Sequence, residues 1–540
     1  MLRTRYFTLV VLILLTVTGF AKTISVQTLA DLQRSVQVPK ITVNIKKSID
    51  LCGSTIVIPD GVVIKVNSKL SNGKIEGNNT QIEVGKKGKF SNIAFNGSYN
   101  VPSITYKNFD GYLSDTELLR AMLDLTFKNI AHSTLQLEPK RIYDIEYHKL
   151  AYAHAIYEYE NVSNKTIVGC DAIISDKRTN AHIGFENFDG VFLFSACHGI
   201  SIQNLHYQNL DEEYPEIRNE NGSVKVGAGI EKQLGYIGAS FVLLQNDCSR
   251  INISSNIIGA RYGIKSGDYS KFWLCGDYGV KNSSFNINAK RTGYPVAIEI
   301  GDSLNINVTS DTHHRACYLC GISNSTINIQ AKNIMIAPLH CLLSDTHYSK
   351  GDPKKPQFKA CYGLDINFVE LGSEIATAGD VYCVGLQTYN TVPFQKRKAS
   401  LEWHDIRIKI KKESSAPKVG LFNLMRMPTS NTDALSIRDT YRNIVVLAED
   451  PFSSDQWSMR LLVSDVADYQ DVKLNIKAKN GRIIYDNANK YSFDLSDSSI
   501  GTLFYTGNIT LDKNEIKSIV EHRSVIQAKG HNITNKSNRK

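Results

Sequence analysis

A short apolar-polar-apolar triplet rich in asparagine returns again and again along the chain, and it limits the possible folds more than any other feature. It reads IQNL (202–205), INI (251–253), FNIN (285–288), LNIN (304–307), INIQ (327–330), LDIN (364–367), IRIKI (406–410), NIVVL (443–447) and VKLNI (472–476). Alternation over so few residues marks a strand with one buried face. Ile287 to Ile306 is 19 residues and Ile306 to Ile329 is 23. Such intervals suit one coil of a β-solenoid, whose strands lie on the next coil at about 4.8 Å. Wider gaps, such as Ile329 to Ile366, read as coils with long loops or as two coils. A sandwich would need hairpin turns at short, regular intervals, and Asn-Gly or Asp-Gly turns are not placed regularly here. The expected class is all-β.

A solenoid must cover its ends, and Ser114–His132 (SDTELLRAMLDLTFKNIAH) offers a capping helix. Ser114 is an N-cap candidate with Glu117 three residues on, and Leu118, Leu119, Met122, Leu123 and Leu125 form an apolar face. At the start of the chain, Leu9–Phe20 is apolar, follows Arg3 and Arg5, and is too short to span a bilayer. With Gly19 and Ala21 it reads as a signal peptide cut before Lys22. The expected organisation is a signal peptide (1–21), a β-rich N-terminal extension (22–110), a β-solenoid (111–505) and a C-terminal tail (506–540) that is poorly ordered from Lys529 to Lys540. The expected location is outside the cell or in the periplasm.

The stretch IDLCGSTIVIPDGVVIKV followed by LSNGKIEGNNTQI, between Ile49 and Ile82, resembles the opening of secreted bacterial proteins of the pectate-lyase-like, right-handed parallel β-helix superfamily. YKNFDGYLSDTELLRAMLD resembles the segment in which that family places a D-G and then a D-T before a capping helix, matched by Asp110, Gly111, Asp115 and Thr116. The resemblance implies a right-handed parallel β-helix. The family includes polysaccharide lyases, glycoside hydrolases, epimerases and phage tailspikes, so the fold does not decide the reaction. The paired-aspartate motifs of polygalacturonases and the R-x-P-x-x-R of pectate lyases are not found, which weakens the calcium-dependent readings.

Without the signal, the chain has 519 residues and a net charge of +7. Export and the lack of a dense basic run turn this balance away from nucleic acid and towards an acidic polysaccharide. Ten cysteines at irregular spacings are too few for a disulfide scaffold, and most read as buried thiols. Cys317 and Cys320 form one C-x-x-C, and with no second pair nearby a zinc site is not expected.

Aligning the triplets on Ile253, Ile287 and Ile306 places Tyr262 at +9, Arg291 at +4, Tyr294 at +7, His313 at +7, His314 at +8 and Arg315 at +9. His340 follows in the next coil. This set suits β-elimination on a uronic acid sugar, which needs a base for the proton beside the carboxylate, cations for the enolate-like intermediate and an acid for the leaving oxygen. His313 or His314 titrates nearest neutral pH and can be the base. Tyr262 or Tyr294 can be the acid, or the base where cations lower its pKa. Arg315 completes the catalytic set, and Arg261, Lys265, Arg291, Tyr318, His340 and Trp273 are assigned to substrate binding.

The reading is a metal-independent polysaccharide lyase, a carbon-oxygen lyase without cofactor. It acts as a monomer with no membrane span after signal removal, on a uronate-containing anionic glycan such as chondroitin or dermatan sulfate. A glycoside hydrolase would use two carboxylates from Asp268, Glu299, Asp302, Asp311, Glu370 and Glu374, which share no register in this alignment. A binding solenoid would use Tyr269, Phe272, Trp273 and Tyr278 as sugar platforms. The segments 211–236 and 350–359 read as long charged loops beside the groove.

Overall fold

The structure, a computed structural model, describes residues 22–146, 155–177, 190–209, 239–266, 279–313, 315–334, 339–343, 360–372, 382–388, 400–413, 419–426, 439–452, 459–464, 467–486, 493–494 and 499–506. The expected signal peptide and nearly all of the expected tail lie outside them. The chain divides into two compact units, Met1–Arg141 with Ser163–Cys170, and Ile142–Val162 with Asp171–Lys540. Both are mostly β with parallel strand pairs, and among the described residues no helix is long and apolar enough to cross a membrane.

In the first unit, Thr23 faces Thr42, Thr42 faces Val63 and Val63 faces Gln81. A second line runs Ile49, Leu70, Phe90, Phe109. The steps between successive partners are close in length to the shorter triplet intervals downstream, so this part shares their period. The helix here is Asp115–Phe127, with Ser114 Oγ accepting from Glu117 N at 3.2 Å. It buries Leu119, Met122, Leu123, Leu125 and Phe127. It ends earlier than expected because strand pairing takes over the backbone: Tyr99 N donates to Lys128 O at 3.0 Å and Ile130 N donates to Tyr99 O at 2.9 Å.

In the second unit all nine triplets fall into one ladder. Its central column runs Ile202, Ile253, Phe285, Ile306, Ile327, Ile366, Ile408, Val446, Leu474, each residue facing the next. All nine are buried. Ile327 pairs directly with Ile366, so the wide gap is one repeat with a long insertion. A second column of buried residues runs Tyr157, Phe192, Val242, Ile264, Val296, Cys317, Leu339, Val384, Phe422. Of the eight cysteines whose side chains are described, six are buried free thiols, among them Cys317 and Cys320.

Three residues before every member of the first column the backbone turns through the left-handed region. The turning residues are Gly199, Arg250, Asn282, Ser303, Asn324, Gly363, Asp405, Asn443 and Asp471, with φ between 47° and 71°. Gly, Asn and Asp bear this conformation best, which explains seven of the nine. The triplet asparagines stack as well: Asn328 Nδ2 donates to Asn307 Oδ1 at 2.8 Å, and Asn367 Nδ2 to Asn328 Oδ1 at 3.0 Å. These amides form a side-chain ladder parallel to the backbone one.

Two stability measurements follow. Ile306→Ala opens a cavity in the central column and is expected to lower unfolding free energy by about 2–5 kcal/mol in denaturant titration; a loss below about 1 kcal/mol would contradict the packing. Arg250 is the one long side chain among the turning residues and is exposed. Arg250→Gly is therefore expected to raise stability by about 1 kcal/mol, and a decrease would show that the arginine side chain has an unrecognised role.

Candidate functional site

The first column fixes where the proposed site residues fall. Ile253 faces Phe285 rather than Ile287, so the sequence alignment is two residues off in the middle repeat. With Phe285 as reference, Tyr262, Tyr294 and Arg315 all stand at +9. Tyr262 faces Tyr294 in register. Tyr294 N donates to Arg261 O at 2.7 Å and Arg315 N to Gly293 O at 3.0 Å, which carries the alignment into the third repeat. Three residues further on, Lys265 faces Ala297, Ala297 faces Tyr318 and Tyr318 faces His340.

These two columns place aromatic and cationic groups together. The Tyr262 and Tyr294 rings stack with centroids 4.8 Å apart and planes 17° from parallel. Tyr318 meets Tyr294 edge-on at 6.2 Å. The Arg261 guanidinium lies 5.6 Å and Lys265 Nζ 5.7 Å from the centre of the Tyr262 ring, and the Arg315 guanidinium lies 5.4 Å from Tyr318. At these separations cation–π attraction holds the cations against the rings. Gly263 permits the close approach of the strands, since a Cβ there would lie 2.5 Å from Pro295 O.

One small pocket is lined by Tyr262, Lys265, Ser266, Tyr294, Ala297, Glu299 and Tyr318. Glu299, weighed in the sequence only as a hydrolase carboxylate, thus belongs with the tyrosines. Ser266 Oγ binds its backbone on both sides, accepting from Glu299 N at 2.8 Å and donating to Glu299 O at 3.1 Å. The small Ala297 between Lys265 and Tyr318 leaves the space that the pocket occupies.

The sequence alignment put these groups on an open surface, but Arg261, Tyr262, Lys265, Tyr294, Glu299 and Tyr318 are each at most 6% exposed. Every residue of Tyr262–Ser266 is buried, on both faces of the strand, and the outward column above Lys265 holds the buried Leu193 and Leu243. Arg315 is half-buried, and its Nε has no hydrogen-bond partner among the described residues. Arg291 is exposed, at φ 47°, and does not line the pocket. His313 ends the strand Asn305–His313, facing Thr292 and Ile334, and His340 lies in Leu339–Leu343; both are described by backbone alone. His314 and Trp273 lie outside the described residues, as do Tyr269, Phe272, Tyr278, Asp268, Glu374 and the segments 211–236 and 350–359.

Burial first, then the neighbouring Cys320, push the Tyr318 hydroxyl well above the ordinary phenol range; Arg315 opposes this and Glu299 adds to it. Tyr318 is therefore a proton donor and not a base at neutral pH. Asp302, another hydrolase candidate, accepts from Ser323 at 2.6 Å, Asn324 at 2.8 Å and Ser303 at 3.0 Å, which commits it to bracing the bends. Asp311 accepts from Asn333 at 2.7 Å in the same way.

Because burial raises the Tyr318 pKa, its phenolate is absent below pH about 10, where an ordinary tyrosine is half ionised. Alkaline ultraviolet titration of the native protein up to that pH is expected to give the same phenolate signal for wild type and Tyr318→Phe. A smaller signal in the variant would mean that Tyr318 is open to solvent.

No family model matches the chain, and no curated protein is similar to it. Among solved structures, PfbA, a surface adhesin of Streptococcus pneumoniae, is similar at 12% identity over 87% of this chain and 88% of that one, with a TM-score of 0.25. A likeness of that size carries no argument about fold or function.

Proposed function

We propose that the chain is an exported polysaccharide lyase built on a right-handed parallel β-helix of the pectate-lyase-like kind, and that it cleaves a uronate-containing anionic glycan by β-elimination. The parallel ladders, the equal short steps from Phe285 to Ile306 to Ile327 and the sequence resemblance support the β-helix reading. The observation that carries the lyase reading is the meeting, from consecutive repeats, of three tyrosines and Lys265 around one pocket, with Arg261 and Arg315 against the tyrosine rings.

Each group has a part in such a reaction. Arg315, half-buried and with an Nε that has no described partner, neutralises the substrate carboxylate, and Lys265 adds positive charge from within the pocket, which makes the adjacent C–H acidic and stabilises the enolate-like intermediate. Tyr318, held as the neutral phenol, or its neighbour Tyr294, gives its proton to the departing glycosidic oxygen. His313 or His314 takes the proton beside the carboxylate. A non-catalytic carbohydrate-binding solenoid is the second reading: burial of Tyr262, Tyr294 and Lys265 suits a packing role, and Tyr269, Phe272, Trp273 and Tyr278 would then meet the sugar.

The test is ultraviolet absorbance over time with chondroitin, dermatan, hyaluronan, heparin, alginate and pectin in chelator. β-Elimination leaves a double bond conjugated to the carboxyl group, and absorbance is expected to rise on at least one glycan. Arg315→Ala and His313→Ala are each expected to slow that rise by about 100-fold or more. New reducing ends without absorbance would replace the lyase with a hydrolase, and binding without product would establish the second reading.

A further inference from the structure

Within the second unit, three ionisable residues share one column at a place in the repeat where earlier strands carry small ones. Glu370 ends the strand Ala360–Glu370 and faces Lys412, which ends Glu402–Lys412. Glu449 faces Lys411, so Asp450 takes the next position in the same column. The preceding members of that column are Ser310 and Ala331. Glu370 is 0%, Lys412 1% and Asp450 5% exposed. Lys412 Nζ lies 3.3 Å from Asp450 Oδ2, with both side chains fully buried.

All three are held in place. Lys412 Nζ donates to Val419 O at 3.1 Å, Asp450 Oδ1 accepts from Phe452 N at 3.0 Å, and Glu370 Oε1 accepts from Gly372 N at 2.8 Å. The buried Cys383 lies within reach of all three: after burial itself, Glu370 and Asp450 push its thiol up while Lys412 pulls it down. A buried ammonium–carboxylate pair is expensive to desolvate. Joining amine and carboxyl as an amide removes both charges and leaves a neutral hydrogen-bonding group.

We propose that Lys412 and Asp450 condense to an intramolecular amide that ties two consecutive repeats together, with Glu370 as proton carrier. The Nζ–Cγ bond forms and the Cγ–Oδ2 bond breaks. Glu370 carries two protons in turn from the nitrogen to the departing oxygen, which leaves as water. Ammonium and carboxylate thus become amide and water, with no oxidant or cofactor. Fixed neighbours supply the high effective concentration such a step needs, and exclusion of water disfavours the reverse.

The experiment is protease digestion of the denatured full-length protein followed by mass spectrometry. The expected product is the Lys412 peptide joined to the Asp450 peptide at their summed mass less one water, with no tryptic cleavage after Lys412. Asp450→Ala is expected to abolish it, and Glu370→Gln to lower the linked fraction by about tenfold or more. Wild-type protein yielding only the two separate peptides, cleaved after Lys412, would overturn the proposal whatever the variants do. An undiminished linked fraction in Glu370→Gln would overturn the role of Glu370.

Discussion

Parallel stacking of each strand on its counterpart one repeat away is the constraint on which the rest of this structure depends. Because the pairing is in register, a position in one repeat meets the same position in the next, at about 4.8 Å. Each position then becomes a column, and a column tolerates only side chains that suit their own neighbours. Isoleucine on isoleucine fills space without strain, asparagine on asparagine closes an amide ladder, and left-handed residues succeed one another at the bends. The backbone hydrogen bonds run between repeats, so no repeat can satisfy its polar groups or bury its apolar face alone.

Columns also account for where chemistry arises. A change of character within a column brings unlike groups together, one above the other. Below Leu193 and Leu243 the outward column turns to Lys265, Ala297 and Tyr318. The small Ala297 between a cation and a phenol opens the pocket, and Glu299 completes it from the same strand. Below Ser310 and Ala331 a different column turns to Glu370, Lys412 and Asp450. In both places the regular repeat on either side fixes the backbone, so the polar groups meet in a geometry set by the stack.

Much of this was legible in the sequence, and the misses have physical causes. The nine triplets were visible because alternation with asparagine is dense and local. Their register was harder to read: Phe285 and Ile287 are both buried and lie two apart on one strand face, so periodicity alone cannot say which faces Ile253. The bend residues three places earlier carry part of the signal, since Asn282 and Asn324 mark Phe285 and Ile327 as equivalent, while Arg250 and Ser303 hide it in the repeats of Ile253 and Ile306. The first unit hid its period because several of its strands are only two to four residues long, too short for alternation to show. Burial of the tyrosines depends on both faces of Tyr262–Ser266 being covered, which a pattern of residue types along one strand does not reveal. Lys412 and Asp450 are far apart along the chain, and only the pairing of the strands between them makes them neighbours.

That last separation bears on how a stacked array holds together. Repeats touch only their neighbours, so local opening between two of them costs little more than the interface between those two. Hydrogen bonds and apolar columns act at every interface alike and cannot single one out. The amide between Lys412 and Asp450 acts at one interface alone, where the column would otherwise bury an ammonium–carboxylate pair. It closes a loop one full repeat long, and such a closure removes chain entropy from any state in which the two repeats have parted. The stack supplies the proximity that lets the bond form, and the bond then holds the stack closed at a point where it would otherwise bury a charged pair.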